Sequence, residues 1–301
     1  MRLSLRPALG AALVVAACGR HRGHAQIGVA LAVDTGAFVH EVRRGLDPPA
    51  DSLGFELVVM SAAGNPARQV AQVDSLTARR VAAILIDPVD GAAIAASVIR
   101  ANRAAVPVLT LGTTAAGGEV VSHVASDDRM AGELVGWYLA RRLAGGGNLA
   151  ILDEPGMPAA RERVAGLRLA LSRYPNIRIV ASPAVEPASR QAAEQKTRTL
   201  LAADQRIDAL MGVDDDLALG ALDGVQAAGR KDVLIAGFGA SPEARTAIGH
   251  GGPFVADIAP DPYTIGRYAL LVAASHLRGN HVAAFVPVAV RLVDRDSLAA
   301  P

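Results

Sequence analysis

Ten short apolar runs, most of them continuous rather than alternating in polarity, punctuate this chain: 27–33, 55–60, 82–86, 106–111, 120–124, 149–152, 177–181, 208–213, 233–238 and 254–258. A half-solvated strand alternates apolar and polar residues, whereas a strand covered by helices on both faces is apolar at successive positions. The segments 67–80, 91–104, 129–143, 160–173, 189–203 and 216–229 carry helical spacing between the runs. Repeated strand and helix units of this kind predict an α/β architecture, doubly wound around parallel sheets with right-handed crossovers. At 301 residues the chain is long enough for two domains. With 51% hydrophobic and 20% charged residues it is not intrinsically disordered, and with only 3% aromatics its core must be built from small aliphatics.

The pattern repeats within the chain. ILIDPVDGAA at 84–93 and MGVDDDLALG at 211–220 each end a strand on an aspartate and open a helix, and VPVLTLG and VLIAGFG follow. Asp87 and Gly112 are 25 residues apart, as are Asp214 and Gly239. Two similar half-proteins follow. In open α/β sheets ligands bind beyond the carboxyl ends of the strands, where loops and helix N-termini converge. Asp34, Asp87, Asp153 and Asp214 all stand at such ends, so two facing lobes would line one cleft with them. The alternative role for each is to cap the helix that follows.

Residues 1–17 have Arg2 and Arg6 ahead of an apolar stretch from Ala8 to Ala17. The stretch is shorter than the roughly 20 residues that span a bilayer and reads as a signal peptide. Val15-Ala16-Ala17-Cys18 resembles a bacterial lipobox, which predicts lipid attachment at Cys18 and a stalk over 18–26; an ordinary signal peptide with an incidental cysteine is the alternative. No later segment is expected to cross a membrane. A single cysteine excludes an internal disulfide and a cysteine-rich zinc site. A net charge of +1 argues against nucleic acid as a partner.

Catalytic signatures are missing. No G-x-G-x-x-G follows the first strand, Gly145-Gly146-Gly147 precedes a strand, and neither G-x-S-x-G nor H-E-x-x-H occurs. His21 and His24 belong to the stalk, and His123 reads as a core or hinge residue. No enzyme activity, cofactor or metal is expected.

Long collinear stretches carry a resemblance: GNPARQVAQVDSLTARRVAAILIDPVDGAAIA (64–95), ANRAAVPVLTL (101–111), GEVVSHVASDD (118–128), AARERVAGL (159–167) and DDDLALGALDGVQAAGRKDVLIAGFGASPEA (214–244). Over 27–295 the chain resembles the type I periplasmic sugar-binding proteins, in particular their ribose-binding branch. The resemblance implies two lobes, 27–125 plus 261–288 and 126–260 plus 289–301. Three hinge crossings would join them, near Ser126-Asp127, Pro260-Asp261 and Pro287-Val288. It implies a monomer that closes on a small solute and delivers it to an ABC importer; a co-receptor for a sensor kinase or chemoreceptor is the alternative. A DNA-reading module, as in repressors with this body, finds no room between the stalk and Ile27.

Carried over position by position, the resemblance gives Asp34, Thr35 and Phe38 in the first loop, then Asp87, Thr113, Arg161, Asp214 and Phe238 as ligand-binding residues. Several family contacts are replaced: an aspartate and arginine pair by Gly112-Thr113, a phenylalanine by Ala188, an aspartate by Gly239, a glutamine by Pro260. Ribose loses hydrogen bonds by these exchanges, each worth about 1–3 kcal/mol when charge-assisted. An acid-rich cleft with Arg161 as its cation suits an amine or a polyol rich in donors. The family's continuous first helix meets GLDPPADSLG at 45–54, which predicts a break at Asp47-Pro48.

Overall fold

In the computed structural model, which describes residues 24–203 and 206–299, the chain builds two six-stranded sheets. The first lobe opens with β1 (Ala25–Leu31), α1 (Ala37–Leu53), β2 (Phe55–Ser61), α2 (Pro66–Ala78), β3 (Ala83–Ile86), α3 (Gly91–Arg103), β4 (Val108–Leu111) and β5 (Ser122–Ser126). The chain then passes Asp127 into the second lobe. There it forms α4 (Asp128–Arg142), β6 (Gly146–Leu152), α5 (Pro158–Leu171), β7 (Asn176–Ala181), α6 (Arg190–Ala202), β8 (Ala209–Gly212), α7 (Asp215–Ala227), β9 (Leu234–Ala236), α8 (Pro242–His250) and β10 (Phe254–Ala259). Through Pro260-Asp261 it returns to the first lobe for α9 (Pro262–Leu277) and β11 (Phe285–Val288). It ends in the second with β12 (Arg291–Asp294) and α10 (Arg295–Ala299). The signal segment 1–17 and Cys18 lie outside the described residues. The expected stalk ends short of 26, because Ala25 and Gln26 already pair with Phe55 and Glu56.

Strand order is β11-β5-β4-β3-β1-β2 in one sheet and β12-β10-β9-β8-β6-β7 in the other. All neighbours are parallel except β12, which runs antiparallel to β10 at the edge. The continuous apolar runs are explained by their two covered faces. Ile27, Val29 and Leu31 pack with α1 and α9, while Ala30, Ile84 and Ile86 pack on the opposite face with α2 and α3. A third cluster, around Leu149, Ile151, Leu210 and the fully buried Phe254, fills the second lobe.

One expectation is corrected. Helix α1 does not break at Asp47-Pro48; it runs through Pro48 and Pro49 to Leu53 and stops at Gly54, a left-handed C-cap. Each interior proline costs a helix about 3 kcal/mol. Burial of Val39, Val42 and Leu46 against α9, at about 1.5–3 kcal/mol per side chain, is large enough to offset that. The two helices meet at glycines: a Cβ on Gly45 would collide with the Tyr263 carbonyl, and one on Gly266 with that of Val42.

The crossings sit where helix starts are capped. Asp127 caps α4 through Met130 N–H and donates its own N–H to Val288 O at 2.9 Å, so the first and third crossings lie side by side. Asp261 caps α9 through Thr264 N–H at 3.0 Å. Because β11 extends to Val288, the third crossing falls at 289–290.

Candidate functional site

At the carboxyl end of the first sheet, Phe38, Asp87 and Gly112 converge. Phe38 sits in the first turn of α1, Asp87 follows β3 and Gly112 follows β4. Gly112 has a left-handed φ of 61°, and a Cβ there would stand 3.3 Å from Phe38 Cζ and 3.5 Å from Asp87 Oδ1. Asp87 does not cap α3, since Asp90 does so through Ala92 and Ala93 N–H. It is 9% exposed, and burial pushes its carboxyl up to about 7, an effect that a hydrogen bond from Ala32 N–H only partly offsets. Gln69 braces this turn: its amide donates to Asp87 O at 2.7 Å and accepts from Val89 N–H at 2.8 Å.

At the carboxyl end of the second sheet the centre is Arg163. Its Nε donates to Asp128 Oδ1 at 2.8 Å and its Nη1 to Val213 O at 2.7 Å, and its guanidinium lies 3.4 Å from the ring centroid of Phe238. Stacking of a planar cation on an aromatic face, with a carboxylate holding one edge, fixes the fork's direction. Asp214 caps α7 through Leu217 N–H at 2.8 Å, as the capping alternative anticipated. Burial raises the carboxyls of Asp128, Asp214 and Glu154, with Arg163 acting in the opposite sense on all three.

Beneath this face lies a second acid pair. Asp257 on β10 is fully buried; burial and its hydrogen bond with Asp215 hold its carboxyl well above the usual range. Asp215 accepts from Ser241 N–H at 2.7 Å, and a Cβ on Gly239 would press on its carboxylate.

The remaining expected residues are placed differently. Asp34 and Thr35 lie exposed in the loop after β1, and Thr113 is exposed beside Gly112. Arg161 is exposed on the first turn of α5 and donates to the carbonyls of Pro155 and Gly156 at 2.9 and 3.3 Å. The arginine of AARER that stacks on Phe238 is thus Arg163, two residues on. The helix phase carries the signal for it: Ala160, Arg163, Val164, Leu167 and Leu171 all face inward on α5. No local pattern singles out Asp128 or Gln69. Asp153 bridges to Ala184 and caps no helix.

Between the lobes, a cavity of about 490 Å³ has Gly112 and Thr113 on one wall and Asp127, Asp128 and Met157 on the other. Gly112 touches the first cluster and Asp128 holds the arginine of the second, so the cavity borders both half-sites. Among the described residues no helix is long and apolar enough to cross a membrane, and no group of acidic, histidine or cysteine side chains is arranged to hold a metal.

Residues 27–281 match the periplasmic binding protein domain family. The ribose import binding protein RbsB of Escherichia coli strain K12 is 36% identical over 270 residues, 88% of this chain and 90% of that protein. A solute-binding protein of an ABC transporter from Mycobacterium smegmatis, solved with bound glycerol, is 31% identical; the match has a TM-score of 0.75 and covers 92% of this chain and 96% of that one. Another from Bacillus halodurans C-125, solved with bound myo-inositol, is 26% identical with a TM-score of 0.76 and the same coverage.

Proposed function

Because this chain belongs to the periplasmic binding protein family, we propose that it is an exported protein that captures a small sugar or polyol between its lobes and delivers it to an ABC importer. It binds its solute and does not transform it, as its relatives do. The observation that carries this reading is the complementary pair of half-sites. Asp87 and Asp214 offer acceptors, Arg163 offers the guanidinium N–H groups that Asp128 and Val213 leave free, and Phe38, with the edge of Phe238, offers apolar surface. Hydroxyls along a sugar need paired donors and acceptors, and the carbon faces of the ring pack on aromatics.

Relatives bearing ribose, glycerol and inositol in their names or structures support a polyhydroxylated solute. The solute would bridge the lobes and close them about the three crossings. Arg163, rather than Arg161, is its cationic anchor, and Cys18 is the point of membrane attachment. The protein acts as a monomer in the periplasm or on the outer cell surface.

A thermal-shift screen of D-ribose, other pentoses and hexoses, glycerol, xylitol and myo-inositol tests this. At one hundred times the dissociation constant a ligand of the folded state adds about 2.7 kcal/mol of stability. At least one member should raise the melting temperature; a screen in which none does contradicts the reading.

A further inference from the structure

The cavity between the lobes is chemically unlike the two half-sites it borders. Its interior is faced by His123, Ala125 and Phe285 from the first lobe and by Met157, Pro158 and Ala159 from the second. The charged groups around it are already engaged. Asp127 caps α4, Asp128 holds Arg163, and Arg129 and Glu162 pair with each other at 3.7 Å. His123 gives its Nδ1 to the Thr110 hydroxyl at 2.9 Å, and its burial favours the neutral ring. The imidazole stacks on Phe285, with centroids 5.7 Å apart and planes at 25°, and Phe285 is left 46% exposed.

At the rim a sugar hydroxyl could reach the Thr113 and Ser126 hydroxyls or the exposed Arg129 and Glu162, but beside Phe285, Met157 and Ala125 it would give up water for few partners, which costs more than it returns. An apolar group would instead cover Phe285, Met157 and Ala125 and gain from their burial. The volume falls within the few hundred Å³ typical of small-molecule sites. Gly112 opens the way: with no side chain of its own, it separates this space from Phe38 and Asp87 by backbone alone.

We propose that the solute carries a non-polar substituent, as an alkyl or aryl glycoside or ether does, and that this substituent occupies the cavity beside Phe285 while the polyol part is held at Asp87 and Arg163. This rests on the function proposed above.

Matched pairs test it by calorimetric titration: D-ribose against phenyl β-D-ribofuranoside, xylitol against a benzyl xylitol ether, and glycerol against 3-phenoxypropane-1,2-diol. In at least one pair the aromatic member should bind ten-fold or more tightly than its parent. Ala159→Trp, which fills the cavity from a half-buried position on α5, should abolish that gain and leave the parent's affinity within two-fold. Phe285→Ala, at an exposed edge position, should cut the gain at least three-fold and serves if the tryptophan variant does not fold. Parents that bind as tightly as their aromatic partners overturn the inference while sparing the reading it rests on. So does a gain that survives the variants. If neither member of any pair binds, that reading falls as well, and the inference with it.

Discussion

The guanidinium of Arg163 lies 3.4 Å from the centre of the Phe238 ring, gripped from the side by Asp128. The pair joins α5 to the loop after β9 and presents a fixed donor at the carboxyl end of the second sheet. Breaking a buried ion pair by removing one partner strands the other charge, at about 3–5 kcal/mol. Arg163→Met should therefore destabilise the protein by that order and abolish solute binding. Arg163→Lys keeps the charge but not the fork, and should fold while losing at least ten-fold in affinity. Arg161→Ala should shift stability by no more than about 0.5 kcal/mol and leave affinity unchanged. Chemical denaturation and calorimetric titration of the three variants check this.

Asp87 makes the free protein sensitive to pH. Its folded carboxyl titrates near 7, above its ordinary value of 3.8, so the protonated form favours the fold. Stability from this group is complete below about pH 4 and is lost as pH rises to about 7, on the order of 4 kcal/mol in all. Asp87→Asn should flatten that decline. A solute hydroxyl donating to the carboxylate has the opposite pull and lowers its pKa on binding. Affinity should then rise with pH toward 7, with proton release at pH 6.5. Calorimetry in buffers of different ionisation enthalpy would expose an absence of proton release.

Much of this was legible beforehand, and the exceptions share a cause. Continuous apolar runs report strands buried on both faces, so the sheets and the strand-end position of Asp87 could be read directly. Which side chain of a helix faces inward is a matter of phase, and a motif such as AARER does not state it; the resemblance points to Arg161, whereas the helix turns Arg163 inward. Proline's local cost argued for a break in α1, while the decisive packing against α9 comes from residues more than two hundred positions away. The cavity beside Phe285 depends on how two lobes sit together, which no local pattern encodes.

Backbone contact between α4 and α5 sets the arginine's place. A Cβ on Gly132 would collide with the carbonyl of Arg163 itself, and one on Gly166 with that of Arg129. Gly132→Ala should push the helices apart, destabilise by about 1–3 kcal/mol and weaken binding, although residue 132 meets no solute. Gly249→Ala, with open space around its Cβ, is the control and should stabilise α8 by about 0.5–1 kcal/mol. Equal effects of the two changes would speak against the packing account.

The proposed membrane attachment through Cys18 predicts that the wild-type protein partitions with membranes and that Cys18→Ser moves it to the soluble fraction. Fractionation and immunoblotting read the result directly. A serine variant that stays with the membranes would contradict attachment at this residue.

Everything above depends on a solute being clasped between the two sheet ends. Small-angle X-ray scattering with and without a saturating sugar or polyol that stabilises the protein measures this most directly. A smaller radius of gyration is expected in the bound state, and in Arg163→Met, which loses the solute altogether, no change at the same concentration. A bound wild-type protein whose radius is unchanged would contradict it.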